Sequence, residues 1–149
     1  MSRLKTIHGS VILLGERGIL VRGAAGAGKS TLVLELLSAD PDRARLVADD
    51  RVIVTAAHGR LLADVPGEIA GLIEMRGVGL VRRPCVAPVV VHLVVDLLAA
   101  EACPRLPEAK DAQVELEGIV LPRLALPIGI GGSAARVRAA VAAIFGPGR

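Results

Sequence analysis

Gly23-Ala24-Ala25-Gly26-Ala27-Gly28-Lys29-Ser30 fills every fixed position of the pattern G-x-x-x-x-G-K-[ST]. The surroundings suit it. Ile19-Leu20-Val21 in front reads as a strand, and Thr31 to Leu37 behind reads as a helix. Such a loop turns its backbone N–H groups toward anionic oxygens, and the helix N-terminus adds partial positive charge. Gly23 to Ser30, with Thr31, are therefore the candidate phosphate-binding residues. In that pattern Lys29 neutralises outer phosphates and the Ser30 hydroxyl joins a magnesium shell. Lys29 is one of only three lysines, with Lys5 and Lys110, which makes an accidental match improbable.

Working outward, Ser10-Val11-Ile12-Leu13-Leu14 and Ile19-Leu20-Val21-Arg22 flank Gly15 to Gly18, a hairpin that delivers the chain into the loop. The following helix carries Leu32, Val33, Leu36 and Leu37 on one face and ends at Asp40-Pro41-Asp42. Leu46-Val47-Ala48 is a short strand stopping at Asp49-Asp50. Val52-Ile53-Val54 turns at His58-Gly59 and returns through Leu61-Leu62. Pro66-Gly67-Glu68 opens a short helix through Leu72. The glycines of Ile73 to Gly79 mark a tight or ligand-facing bend. Val89 to Leu98 reads as a central strand buried on both faces, Gln113 to Leu116 as a half-buried strand, and Leu121 to Ile130 as extended. A last helix starts at Ser133 as N-cap, presents Val137, Val141, Ile144 and Phe145 on one face, and stops at Gly146-Pro147. The expected fold class is α/β: a mixed sheet with flanking helices, in a single domain over residues 1–149.

Composition narrows the function. Apolar residues are 52% of the 149, so the chain can bury a core. Phe145 is the single aromatic, which removes the stacking platform of a single-strand nucleic-acid binder. The net charge is only +3 and the basic residues are scattered, so no nucleic-acid partner is expected. The start Met1 to Thr6 shows no signal peptide, and the run near Val86 to Leu98 is broken by Pro88, His92 and Asp96. No membrane partner is expected and the localisation reads as cytoplasmic. Cys85 and Cys103 lack metal-ligand spacing and read as reduced thiols.

A phosphate loop needs a cation and a group that positions the acceptor. Asp49 and Asp50 follow a strand, where successive side chains point to different sides. One can face magnesium or its waters while the other faces an incoming hydroxyl; the plainer reading is an acidic turn. Glu74 and Arg76, two apart in an extended segment, face one side and can hold a cation and a phosphoryl group, or form a surface ion pair. His8, His58 and His92, read alone, are structural or surface residues.

These features in this order resemble the catalytic domain of the HPr kinase/phosphorylase family. The resemblance rests on His8-Gly9-Ser10-Val11, the hairpin entering GAAGAGKS, Leu34-Glu35-Leu36, Arg45 to Asp50, and Ile73-Glu74-Met75-Arg76-Gly77-Val78-Gly79, and is strongest over residues 7–98. It implies a P-loop kinase domain with a fold-level tie to phosphoenolpyruvate carboxykinase. It also implies ATP and Mg2+ as cofactors, phosphorylation of a seryl hydroxyl on HPr, phosphate-dependent dephosphorylation, and a homo-oligomer, hexameric in the family. By position, Lys29 and the loop amides would hold ATP phosphates, and Ser30, Glu74 and Asp49 would serve magnesium. Asp50 would take the seryl proton, His8 would stand near the transferring phosphate, and Arg76 would stabilise charge.

The chain departs from the family pattern in three places. It begins almost at the catalytic core, like a short form without the N-terminal domain. Leu80-Val81-Arg82-Arg83 replaces the usual continuation of the glycine signature. Gly129 and Gly132 stand where two arginines tied to phosphorolysis are expected, and Arg123, Arg136 and Arg138 are the nearby arginines that could stand in. The phosphorylase direction is therefore expected to be weak. Two other readings use the same residues: a nucleotide- or phosphate-sensing protein without transfer, and a small-molecule P-loop kinase.

Overall fold

A computed structural model describes residues 4–146. Met1 to Arg3, at the start read as showing no signal peptide, and the helix stop at Pro147 lie outside the described residues. The hairpin is β2 (Ser10–Leu14) and β3 (Arg17–Gly23), with Ile12 opposite Ile19. Its turn is shorter than expected, because Arg17 and Gly18 already pair with Leu14 and Leu13. The chain then runs through α1 (Lys29–Ala39) and β4 (Ala44–Ala48) to β5 (Arg51–Ala57) and β6 (Arg60–Asp64). It continues through β7 (Leu72–Met75), β8 (Gly79–Arg82) and β9 (Val89–Leu98) to β10 (Gln113–Leu116), β11 (Ile119–Pro127) and α2 (Ser133–Phe145). β1 (Lys5–His8), mostly exposed, precedes them.

The main sheet is mixed and runs β1-β5-β6-β9-β3-β2-β4, with β11 also on β9 and β10 on β11. β9 is parallel to β3 and to β11; the other pairings are antiparallel. β6 meets β9 at Val89 and Val90, and β11 meets it from Val94 to Leu98, so β9 takes two partners in succession besides β3. Both faces of the sheet centre are buried, which is why its strands read as unbroken apolar runs. Ile12, Ile19, Val21, Leu46, Leu93 and Val95 face Leu32, Val33, Leu36 and Leu37 of α1. Val11, Leu20, Val47 and Val94 face the other way, against Val52, Val54 and Leu61. Each fully buried side chain of this size contributes about 1.5–3 kcal/mol.

Gly18 pairs with Val91 but Ile19 pairs with Leu93, so His92 is the extra residue of a bulge. The Gly18 amide donates to His92 Nδ1 at 3.2 Å. Gly18 has to lack a side chain, because a Cβ there would lie 2.1 Å from the Val90 carbonyl oxygen.

Several element ends differ from the sequence reading. The expected helix from Pro66 to Leu72 is a single 3-10 turn, Gly67–Ile69, and Leu72 already belongs to β7. The bend at Gly77 is the tip of a detached two-stranded hairpin, β7 with β8. β11 ends at Pro127, short of Ile130. Gly132, at φ +91°, occupies the N-cap position assigned to Ser133, and no side chain caps α2. Val137 is buried on α2, with Val141 and Phe145 packed beside it, while Ile144 is 48% exposed and off that face.

Candidate active site

Gly23 closes β3 and α1 begins at Lys29, two residues before the expected Thr31. Gly28 holds the entry to the helix at φ +101°, a conformation open to glycine at little cost. The first bond of the helix ladder runs from Leu32 N to the Gly28 carbonyl at 3.0 Å. The amides of Lys29, Ser30 and Thr31 therefore precede the ladder, and no side chain caps them. Lys29 is buried and its Nζ donates to the Gly23 and Ala24 carbonyls at 2.8 and 3.0 Å. Burial pushes its ammonium pKa below the ordinary lysine value, and the charges of Asp50 and Asp49 oppose that shift.

Asp49, just past β4, is 4% exposed and takes three donors. Ser10 Oγ donates at 2.7 Å, Ser30 Oγ at 2.9 and 3.0 Å to the two oxygens, and the Glu74 amide at 3.2 Å. One carboxylate thus ties together β2, the start of α1 and the β7 strand. Asp50 goes the other way. Its φ of +74° turns the chain, and its side chain is 74% exposed. The opposed pair expected from strand alternation is produced by this turn, which backbone energetics alone disfavours. His8 Nδ1 lies 3.4 Å from Asp50 Oδ1, and the Gly9 amide donates to the Asp50 carbonyl at 3.1 Å.

Glu74 stands on β7 and Arg76 in the turn after it, so the two do not share one extended segment. They nevertheless face one cavity. A Cβ built on Gly26 would meet an Arg76 guanidinium nitrogen at 3.3 Å, which sets that cation over the loop. The cavity, about 560 Å3, is lined by His8, Ala25, Gly26, Gly28, Lys29, Ser30, Thr31, Asp49, Asp50, Glu74 and Arg76 of the expected set. Ser10, Leu34, Met75 and Val78 complete the lining. Gly23 and Ala24 supply carbonyls to Lys29, and Ala27 belongs to the core behind the loop.

Ser10 is the residue missed by the sequence reading: fully buried, with its hydroxyl on Asp49. Its signal was adjacency to His8-Gly9, which carries no information about a partner 39 residues away. Asp96, read as a break in an apolar run, is 6% exposed and held by two arginines. Arg22 binds it through Nε and Nη2 at 2.7 and 2.8 Å, and Arg123 through Nε at 2.6 Å. These donors, outweighing burial, hold its carboxyl below the usual aspartate range. Arg123 and Arg136 line a separate cavity beside β11, and Arg138 lines another against Phe145. None of the three arginines that could stand in for Gly129 and Gly132 lines the loop cavity.

Among the described residues no three His, Cys, Asp or Glu side chains cluster as a self-sufficient metal site. The donor set of Ser30, Asp49 and Glu74 fits magnesium shared with substrate phosphates, since that ion is commonly held by one or two carboxylates plus phosphate oxygens.

Comparison with known proteins identifies the family and the fold. The family described as HPr Serine kinase C-terminal domain matches residues 1–145. An HPr kinase/phosphorylase from Streptococcus salivarius is 32% identical over 138 residues, 85% of this chain and 43% of the relative. One from Lactococcus lactis subsp. lactis is 43% identical over 77 residues, 51% of this chain and 24% of the relative. The chain thus spans less than half the length of these curated relatives. The solved Hpr(Ser) kinase/phosphatase from Coxiella burnetii superposes with a TM-score of 0.79 at 25% identity, over 95% of this chain and 93% of that one.

Proposed function

This chain belongs to the HPr Serine kinase C-terminal domain family, and we propose that it transfers the terminal phosphoryl group of ATP to a seryl hydroxyl of HPr. The observation that carries this reading is the division of labour between two adjacent carboxylates at one cavity. Asp49 is buried and held by three donors, whereas Asp50 is exposed at the mouth beside His8. The uncapped amides of Lys29, Ser30 and Thr31 suit phosphate oxygens. Lys29 would exchange its two carbonyl partners for the outer phosphates. Magnesium, when bound with ATP at Ser30 and the carboxylates, would neutralise phosphate charge.

Asp50 accepts the seryl proton as the serine oxygen bonds to the γ-phosphorus and the bond to the bridging oxygen breaks, releasing ADP. Arg76, set over the loop, balances charge on the transferred group, and His8 orients Asp50. The exposure of Asp50 favours a protein acceptor over a small molecule. A base at the open lip needs a large partner to exclude water, whereas a small-molecule kinase encloses its acceptor. A cytoplasmic homo-oligomer is part of the same reading; no helix among the described residues is long and apolar enough to cross a membrane.

The test is transfer of labelled γ-phosphate from Mg-ATP to purified HPr. Wild type should yield acid-stable phosphoserine, and Asp50→Asn should lower the rate by about 10²–10⁴-fold with ATP binding retained. Wild-type turnover in Asp50→Asn removes the assigned base. ATP binding without transfer to HPr points instead to a sensing protein.

A further inference from the structure

Beside the cavity, the β7–β8 hairpin carries apolar side chains that the catalytic reading does not use. Its inner face is anchored: Ile73 is fully buried in the core, and Val81, its cross-strand partner, packs against the same cluster. Its outer face is not. Leu80 is 71% exposed, and at the tip Val78 is 73% exposed. Leu80 is the direct cross-strand partner of Glu74, so both stand on the face turned away from the core, and Glu74 lines the cavity. Val78 lines that cavity as well. The apolar surface therefore continues from the cavity wall onto the hairpin lip. The hairpin is basic: Arg76 and Arg82 stand against the single carboxylate of Glu74.

We infer that the outer face of the β7–β8 hairpin, at Val78, Leu80 and Arg82, is a docking lip for the acceptor protein, and that it takes an apolar patch with neighbouring carboxylates beside the phosphorylated serine. The inference rests on the protein-kinase reading above. The partner's patch covers Leu80 and Val78, excludes water from the exposed Asp50, and presents the hydroxyl to that carboxylate. ATP meets the other side of the cavity, on the loop, and makes no demand on Leu80.

Steady-state transfer to HPr with Leu80→Ser tests this, since Leu80 lies outside the cavity lining and its exposed side chain leaves the core intact. The expected result is a KM for HPr raised about tenfold, in line with the loss of about 1.4 kcal/mol of contact, with the KM for ATP within twofold of wild type. Leu80→Met should restore most of the loss. Arg82→Glu should raise the KM for HPr at low salt, with the effect shrinking as ionic strength rises. A KM for HPr within twofold of wild type in Leu80→Ser overturns the docking lip, as does an equal rise in both KM values. Failure of wild type itself to phosphorylate HPr counts against the assigned acceptor, a result distinct from either.

Discussion

Ser10 and Asp49 form the tightest junction of the cavity. The hydroxyl is fully buried and its proton goes to a carboxylate that already serves Ser30 and the Glu74 amide. A hydrogen bond to a charged group contributes about 1.5–3 kcal/mol. Ser10→Ala should lower stability by that amount in denaturant unfolding. If Ser10 positions Asp49 for the cation, the variant should also need more Mg2+ for half-maximal transfer, while Ser10→Thr retains the wild-type requirement. An unchanged magnesium requirement in Ser10→Ala leaves Ser10 a packing residue. That the loop, Asp49 and Asp50 would meet at one cavity was legible because phosphate loops and carboxylates at strand ends announce themselves locally. Glu74 and Arg76 reach it too, but from a strand and a turn and not from the one extended segment their spacing suggested. Ser10 was not legible, because its partner lies on another strand and becomes a neighbour only when β2 pairs with β4.

Among the elements, β9 bears the most. It meets β3, β6 and β11, and Asp96 near its end joins Arg22 of β3 to Arg123 of β11. Arg22 immediately precedes Gly23, so this junction fixes the strand that enters the phosphate loop. Removing one partner of a buried ion pair costs about 3–5 kcal/mol because the other charge is left unmatched. Asp96→Ala should lose that much stability in chemical denaturation; a loss under about 1 kcal/mol means the two guanidinium groups find water instead. β2, β3 and β9 were readable as apolar runs and α1 from its helical spacing, since each buries those side chains in the core. β1 and β8 were not, because they are short and mostly exposed. The cap of α2 was misplaced because a serine beside Gly131-Gly132 resembles a side-chain cap, whereas the chain turns on the positive φ of Gly132.

For the molecule as a whole, half-buried His92 and buried Asp96 both contribute to the response to acid. His92 has a pKa below the ordinary histidine value. Burial lowers its pKa most, and Arg17 and Arg60 push it the same way against a hydrogen bond with the Val90 backbone. The unfolded chain then binds more protons than the folded one below about pH 6.5, so stability falls as pH falls through that value toward the folded pKa. Asp96 acts at more acid pH. Its folded pKa lies below the ordinary aspartate value, so its contribution is present above that value and is lost as pH drops through the folded pKa. Thermal unfolding should therefore give a Tm that declines from pH 7 to pH 5, and His92→Gln, which keeps an acceptor for the Gly18 amide, should flatten that decline. An unchanged slope in His92→Gln assigns the decline to other groups. The mixed α/β architecture was legible from the order of apolar runs, but not the β9 bulge. That bulge brings the Val90 carbonyl so close to Gly18 that a Cβ would not fit, a pairing between distant segments that no local pattern announces.

The position of β9 in the chain has a consequence for synthesis. β3 ends at Gly23, and the strand that covers its second edge begins only at Val89. At roughly 5–20 residues per second on the ribosome, the nascent chain carries the Ile19-Leu20-Val21 edge for several seconds before its parallel partner exists. During that interval the β2–β3 hairpin has only its antiparallel neighbours to rest on, and the phosphate loop hangs from a strand bonded on one side. The loop is thus translated well before the strand that braces its second side.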